Sequence, residues 1–319
     1  MVKSLVFLAV LACVCAFVLV RASIRETQAE TAFPPLGEII TINGNKVHAH
    51  VMGREAGTAP DVVLIHGSGG NLRDWTASIA PELAQDYRVI LIDRPGHGFT
   101  DRINTTGATL QDQAQLLAAT ARHLGADQPI IVGHSFGGAV ALAWAVHEPE
   151  TLSAMVLLAS PSNPWTTGVS RFYRLTSHPL TAPFLNPLIT AFVSKTRVKS
   201  SIAGVFEPDA VPDGYLEEFG AALTLRREAL RANALQRRNI LPQIKALIPA
   251  YGQIMTPTEI LHGTADDTVG LSIHSALLVD QIPNATLTPM QGIGHMPQHA
   301  DPQTVITAIH RAATRARLR

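Results

Sequence analysis

Only two cysteines occur in the chain, Cys13 and Cys15, and both fall inside one apolar run near the N-terminus. The rest of the polypeptide therefore offers neither a disulfide framework nor a cysteine metal site. A surplus of charge is equally absent. Across 319 residues 25 basic side chains balance 25 acidic ones, so nucleic acid is not expected as a partner. No internal repeat is visible, which sets repeat architectures aside. What remains is a chain 46% hydrophobic and 16% charged, long enough for one large α/β domain with an inserted subdomain.

Residues 5–20 are uninterrupted apolar or small residues, preceded by Lys3 and followed by Arg21. As a helix this run would be roughly 24 Å long, against a hydrocarbon core of about 30 Å. An arginine directly after the run fits an uncleaved membrane anchor over residues 1–24. A cleaved export signal ending at Val20-Arg21-Ala22 is the alternative, and a buried helix of the folded domain is a third reading. Lys3 on one side faces Arg21 and Arg25 on the other, so charge sets no orientation. Residues 25–37, polar and then Phe33-Pro34-Pro35, read as a linker.

The stretch that organises the rest is Ile130-Ile131-Val132-Gly133-His134-Ser135-Phe136-Gly137-Gly138. A β-branched run ends in a serine flanked by glycines, and an alanine-rich helical pattern starts at once. That is a strand, a sharp turn and a helix with a nucleophile at the apex. Neighbours without Cβ atoms are needed there, or the returning helix collides with the strand.

Upstream, residues 39–42 and 46–52 flank Asn43-Gly44-Asn45, a hairpin signal. His48 and His50 share a face of the second strand, where a metal pair lacks a third ligand. Residues 61–65 form a buried strand that enters His66-Gly67-Ser68-Gly69-Gly70. Such a loop lets backbone N–H groups approach a substrate oxygen. A phosphate loop is the competing reading, but the Walker lysine is missing. Residues 88–92 make another strand, ending in Asp93-Arg94-Pro95-Gly96-His97-Gly98, where Asp93 and Arg94 are expected to pair or cap. Helix patterns at 109–124 and 302–316 and strands at 152–159, 258–261 and 285–288 complete an alternating order. That order is interrupted over residues 161–240 by prolines, aromatics and helical pieces.

Four motifs, each closing an expected strand, make the chain resemble the α/β-hydrolase superfamily: HGSGG, GHSFGG, HGTADD and GIGHMP. The DRPGHGFTDR segment resembles its cofactor-free, haloperoxidase-like branch. The resemblance implies a mostly parallel, doubly wound sheet formed by residues 38–160 and 241–319, with a helical cap inserted at 161–240. It implies Ser135 as nucleophile, Asp266 as acid with Asp267 as rival, and His295 as base with His299 as the nearest alternative. The amides of Ser68 and Phe136 correspond to the oxyanion hole, and no metal or cofactor is implied. No carboxylate occupies the loop after the 152–159 strand, where some relatives carry the acid.

The expected reaction is carboxylic-ester hydrolysis through an acyl-enzyme, on a small, apolar acyl substrate. Serine in place of aspartate at the elbow argues against haloalkane dehalogenase or epoxide hydrolase chemistry. Carbon–carbon bond hydrolysis stays open, although His134 stands where those enzymes typically carry asparagine. A perhydrolase or haloperoxidase-like activity, and a non-catalytic binding role, also stay open. Apolar residues of 171–193, among them Phe172 and Phe184, are candidates for an acyl pocket or for cap packing. Arginines 226, 227, 231, 237 and 238 and the C-terminal Arg311, Arg315, Arg317 and Arg319 are candidates for contact with anionic lipid.

Overall fold

The computed structural model describes residues 2–318. Strand-like runs rich in valine, isoleucine and leucine form one sheet, whose five central strands are buried on both faces. These are β1 (Glu38–Ile42), β2 (Asn45–Gly53), β3 (Asp61–Ile65), β4 (Arg88–Ile92), β5 (Ile130–His134), β6 (Ala154–Leu158), β7 (Thr258–Gly263) and β8 (Ala285–Met290). Their order is β1-β2-β4-β3-β5-β6-β7-β8. β1 and β2 run antiparallel to their neighbours, and every later pairing is parallel. The β1–β2 hairpin closes through Asn43 and Gly44 at φ 50° and 81°, the left-handed pair that a two-residue turn needs.

Alternation along each strand feeds two cores. Val63, Ile65, Ile90 and Ile92 face a layer that includes the helices Leu110–His123 and Phe136–His147. Val62, Leu64, Val89 and Leu91 face the opposite layer, which includes the helix Pro302–Arg315. The Leu110–His123 helix starts on a reciprocal capping box between Thr109 and Asp112, which satisfies two otherwise unpaired N–H groups. The expected α/β class and mostly parallel sheet are therefore what the chain forms.

Between β6 and β7 the chain leaves the sheet and builds a helical layer over its C-terminal edge. Its main helices are Arg171–Ser177, Ala182–Phe192, Lys195–Phe206 and Arg227–Leu247. Residue 240, expected to close this insertion, lies inside the last of these. Pro242 is accommodated within that helix, and Ile240, Ile244 and Leu247 pack into the sheet-side core. One helix thus belongs to both layers.

The stretch 25–37, expected as a linker, is helical as far as Ala32. A single helix runs from Val2 to Ala32. It is long and apolar enough to cross a membrane. Its polar half has partners that the sequence did not suggest. Arg21 Nε and Arg25 Nη1 donate to the carbonyl of Ala191, and Arg25 also donates to that of Val193. Two cations thus sit at the negative end of the Ala182–Phe192 helix. Glu26 accepts from the Arg227 amide and guanidinium, and Glu30 pairs with Arg226.

Candidate active site

β5 delivers Ser135 to the centre of the sheet's C-terminal edge. The serine has φ 51° and ψ −120°, a strained conformation held because its N–H donates to Leu158 O on the neighbouring strand at 2.8 Å. The flanking glycines are steric necessities. A Cβ on Gly133 would lie 2.5 Å from Gly137 O, and one on Gly137 would lie 2.2 Å from Ile65 O.

His295, in the loop after β8, reaches back to this turn. Its Nε2 accepts from Ser135 Oγ at 2.9 Å, and its Nδ1 donates to Asp266 Oδ2 at 2.7 Å. Asp266 stands directly after β7, and its Oδ1 accepts from the amides of Thr268 and Val269, both at 2.9 Å. Burial opposes its charge, but hydrogen bonds from His262, His295 and the Val269 amide outweigh burial and hold the carboxyl well below the usual range. His262 Nε2 donates to Val269 O at 2.6 Å and lies 3.2 Å from Asp266 Oδ2. Its Nδ1 accepts from Ser275 Oγ at 2.6 Å. His134 Nε2 donates to the His295 carbonyl at 2.9 Å, which fixes the backbone of that histidine. Burial and the neighbouring His295 push the His134 imidazole down to about 4.

The rivals are placed elsewhere. Asp267 is exposed to solvent. His299 Nε2 donates to Asp74 Oδ1 at 3.0 Å, and Tyr215 OH donates to the same oxygen at 2.8 Å. Asp74 and Tyr215 line the cavity above Ser135, and neither was singled out from sequence.

Ser68 belongs to the loop after β3, which leans on the elbow: a Cβ on Gly67 would lie 3.3 Å from Ser135 Cβ. Phe136 opens the elbow helix, whose first N–H groups have no acceptor within the helix. The Gly67–Gly70 loop is held from both sides. His66 Nε2 accepts from Arg94 N, while Arg94 donates to the carbonyls of His66 and Gly67 at 2.9 and 2.8 Å. Arg94 is fully buried, lowered by that burial to about 9, and also donates to Gln113 and to Gln236 of the Arg227–Leu247 helix. From the same helix Asn233 Oδ1 accepts from Ser68 Oγ at 2.8 Å and Gly69 N at 2.9 Å. Asp93 does cap, accepting from the amides of Leu72 and Phe99. Its Oδ2 also accepts from His48 Nδ1 at 2.6 Å, so His48 serves the turn rather than a metal pair.

Above Ser135 and His295 lies a cavity of about 820 Å³. Its walls are mostly apolar cap side chains such as Phe172, Leu188, Ile189, Ile202 and Phe206, with Arg197 and Arg237 as basic members and Asp74 as an acidic one. Phe184 is absent from the lining and faces outward, so of the two phenylalanines named from sequence only Phe172 borders the cavity. A serine, a histidine and a carboxylate in one hydrogen-bonded line beneath an apolar chamber can carry out nucleophilic attack on a carbonyl. The family profile described as alpha/beta hydrolase fold matches residues 60–302.

The chain belongs to the α/β-hydrolase fold family. Together with relatives named as hydrolases, this places it among the hydrolases. At 28% identity over 264 residues, 77% of this chain and 86% of the relative, it is similar to 2-hydroxy-6-oxo-6-phenylhexa-2,4-dienoate hydrolase of Burkholderia cepacia. Among solved structures it resembles a membrane phospholipase A, with TM-score 0.67, 20% identity and 99% of each chain covered. It also resembles an esterase of Rhodococcus sp. ECU1013, with TM-score 0.67, 21% identity, and 88% of this chain and 98% of that one covered. At these identities the two structural likenesses speak for the fold alone.

Proposed function

We propose that this α/β-hydrolase cleaves carboxylic esters through an acyl-enzyme, with Ser135 as nucleophile, His295 as base and Asp266 as the acid that orients it. The supporting observation is the unbroken line Ser135 Oγ–His295–Asp266 at the floor of an apolar cavity. His295 takes the serine proton during attack and returns it to the departing alcohol. Asp266, accepting from two amides and from His295, stays ionised, fixes the tautomer and stabilises the imidazolium. The amides of Ser68 and Phe136 hold the tetrahedral oxyanion, each contributing on the order of 3 kcal/mol. Water then attacks the acyl-enzyme by the same proton route in reverse.

The dienoate hydrolase likeness supports a second reading, hydrolysis of a carbon–carbon bond, and Arg197 and Arg237 in the lining suit an anionic substrate. The chamber's apolar walls favour the ester. A series of p-nitrophenyl esters of increasing acyl length, run beside a ring-fission diketone, separates the two. Turnover of the diketone alone would overturn the ester reading. Fluorophosphonate labelling that is lost in Ser135→Ala distinguishes either enzyme from a non-catalytic binding protein.

The Val2–Ala32 helix is, in this reading, an uncleaved anchor. Its arginines and glutamates are engaged with the cap, a role a discarded signal would not have. Full-length protein should fractionate with membranes and remain there in high salt. Mature protein cleaved near Ala22 in a soluble exported fraction would overturn the anchor.

A further inference from the structure

The arginines expected to meet lipid are mostly engaged within the protein. Arg226 and Arg227 pair with Glu30 and Glu26, Arg311 and Arg315 pair with Glu259, and Arg237 lies over the Tyr173 ring. A different surface has the composition of a membrane contact. On the Ala182–Phe192 helix, Phe184, Leu188 and Phe192 stand four residues apart, share one face, and are all exposed. Leu180 and Phe172 extend that face, with Leu180 74% and Phe184 65% exposed. Contiguous apolar surface of this kind marks an interaction site. From residue 171 to 206 the chain carries Arg171, Arg174, Lys195, Arg197 and Lys199, all exposed, and no acid.

The occupant follows from continuity with the N-terminal helix. The Phe192 ring lies 6.3 Å from that of Phe17, inside the apolar run, and beneath the guanidinium of Arg21, which ends it. A bilayer that buries Phe17 therefore brings its surface to the level of Phe192, and the stripe continues from there. Phe172 and Leu188 are at once exposed on this face and part of the cavity lining, so the face borders the cavity.

We infer that the Phe172–Phe192 face of the cap docks into the bilayer surface, with its basic residues among anionic headgroups, and that acyl esters pass from the lipid directly into the cavity over Ser135. This rests on the ester-hydrolase reading and narrows its substrate class to membrane-resident acyl esters. Apolar side chains enter the headgroup boundary while the cations meet lipid phosphates, and the acyl chain exchanges one apolar surrounding for another.

The test uses the full-length chain reconstituted into vesicles of phosphatidylcholine and phosphatidylglycerol. Two substrates are compared: soluble p-nitrophenyl butyrate, and 4-methylumbelliferyl palmitate dissolved in the vesicles. Leu180→Asp combined with Phe184→Asp changes neither the cavity lining nor the buried core. It should leave butyrate turnover unaltered and lower palmitate turnover by about tenfold or more. Independently, Phe184→Trp should add tryptophan fluorescence that acyl-brominated lipid quenches. Equal rates of the double variant and the parent on the palmitate ester would overturn delivery through this face. Fluorescence of Trp at 184 that ignores brominated lipid would overturn the docking itself. Failure of both esters with the parent protein would sink the ester reading, and the quenching measurement, needing no turnover, would still decide the docking.

Discussion

Asn233 shows how much of a site can depend on a residue that carries no chemistry. It lies 165 residues from Ser68 in sequence, yet its amide oxygen holds both the Ser68 hydroxyl and the Gly69 amide. Asn233→Leu should leave those donors unpaired and the loop misplaced. The expected loss in kcat is on the order of 10²-fold, greater than any change in KM for a short ester, measured by steady-state kinetics. Ser135→Ala and His295→Ala should each lower turnover by at least about 10⁴-fold, and the double variant no further. Asp266→Asn should fall by about 10³-fold or more, whereas Asp267→Asn stays active. A dead Asp267→Asn variant would reverse the assignment of the acid. That Ser135, Asp266 and His295 would meet was legible because each follows a strand in a short glycine-bearing turn. Asn233, Asp74 and Tyr215 were not, since each gains its meaning from a contact more than a hundred residues away. His262 did leave a local trace, four residues before Asp266 at the end of β7, where the two side chains converge.

At the scale of elements, the central strands were legible as apolar runs buried on both faces, and the half-exposed β1 and β8 by short strand-like runs next to turn residues. Two boundaries were not. The polar composition after residue 21 resembles a linker, but arginines and glutamates at 21, 25, 26 and 30 continue the helix because they bind the cap. Pro242 likewise resembles a helix end, yet the Arg227–Leu247 helix passes through it. Glu26 accepts from the Arg227 amide at the start of that helix, a contact worth about 1 kcal/mol by analogy with other caps. Glu26→Ala in the full chain should therefore lower Tm by about 2 °C, read by thermal unfolding in detergent. Protein starting at Phe33 should be soluble and active on short esters, with a larger loss of Tm. An unchanged Tm would mean that the cap does not depend on the N-terminal helix.

For the molecule as a whole, four buried histidines shape the response to acid. Burial, with Arg94 nearby, lowers His97 to about 3 and His66 well below its usual 6.5. Burial also lowers His134 and His274 to about 4. The unfolded chain protonates each near pH 6.5 while the folded chain resists, so their contribution is present above that pH and is lost as pH falls towards 4. Stability should decline by up to about 1.4 kcal/mol per pH unit per histidine in this window. Denaturant midpoints between pH 7 and 4 measure it, and His97→Gln should flatten the slope. The order of motifs along the chain made the global layout legible, while the joining of N-terminal helix, cap and site was not, because it runs through side chains distant in sequence. That joining has an engineering consequence. Glu26 seats the first turn of the helix that carries Asn233 and Gln236, which hold the loop beside Ser135, Asn233 directly and Gln236 through Arg94. Replacing the Val2–Ala32 helix with a foreign apolar helix should therefore change turnover at the site as well as the N-terminal attachment.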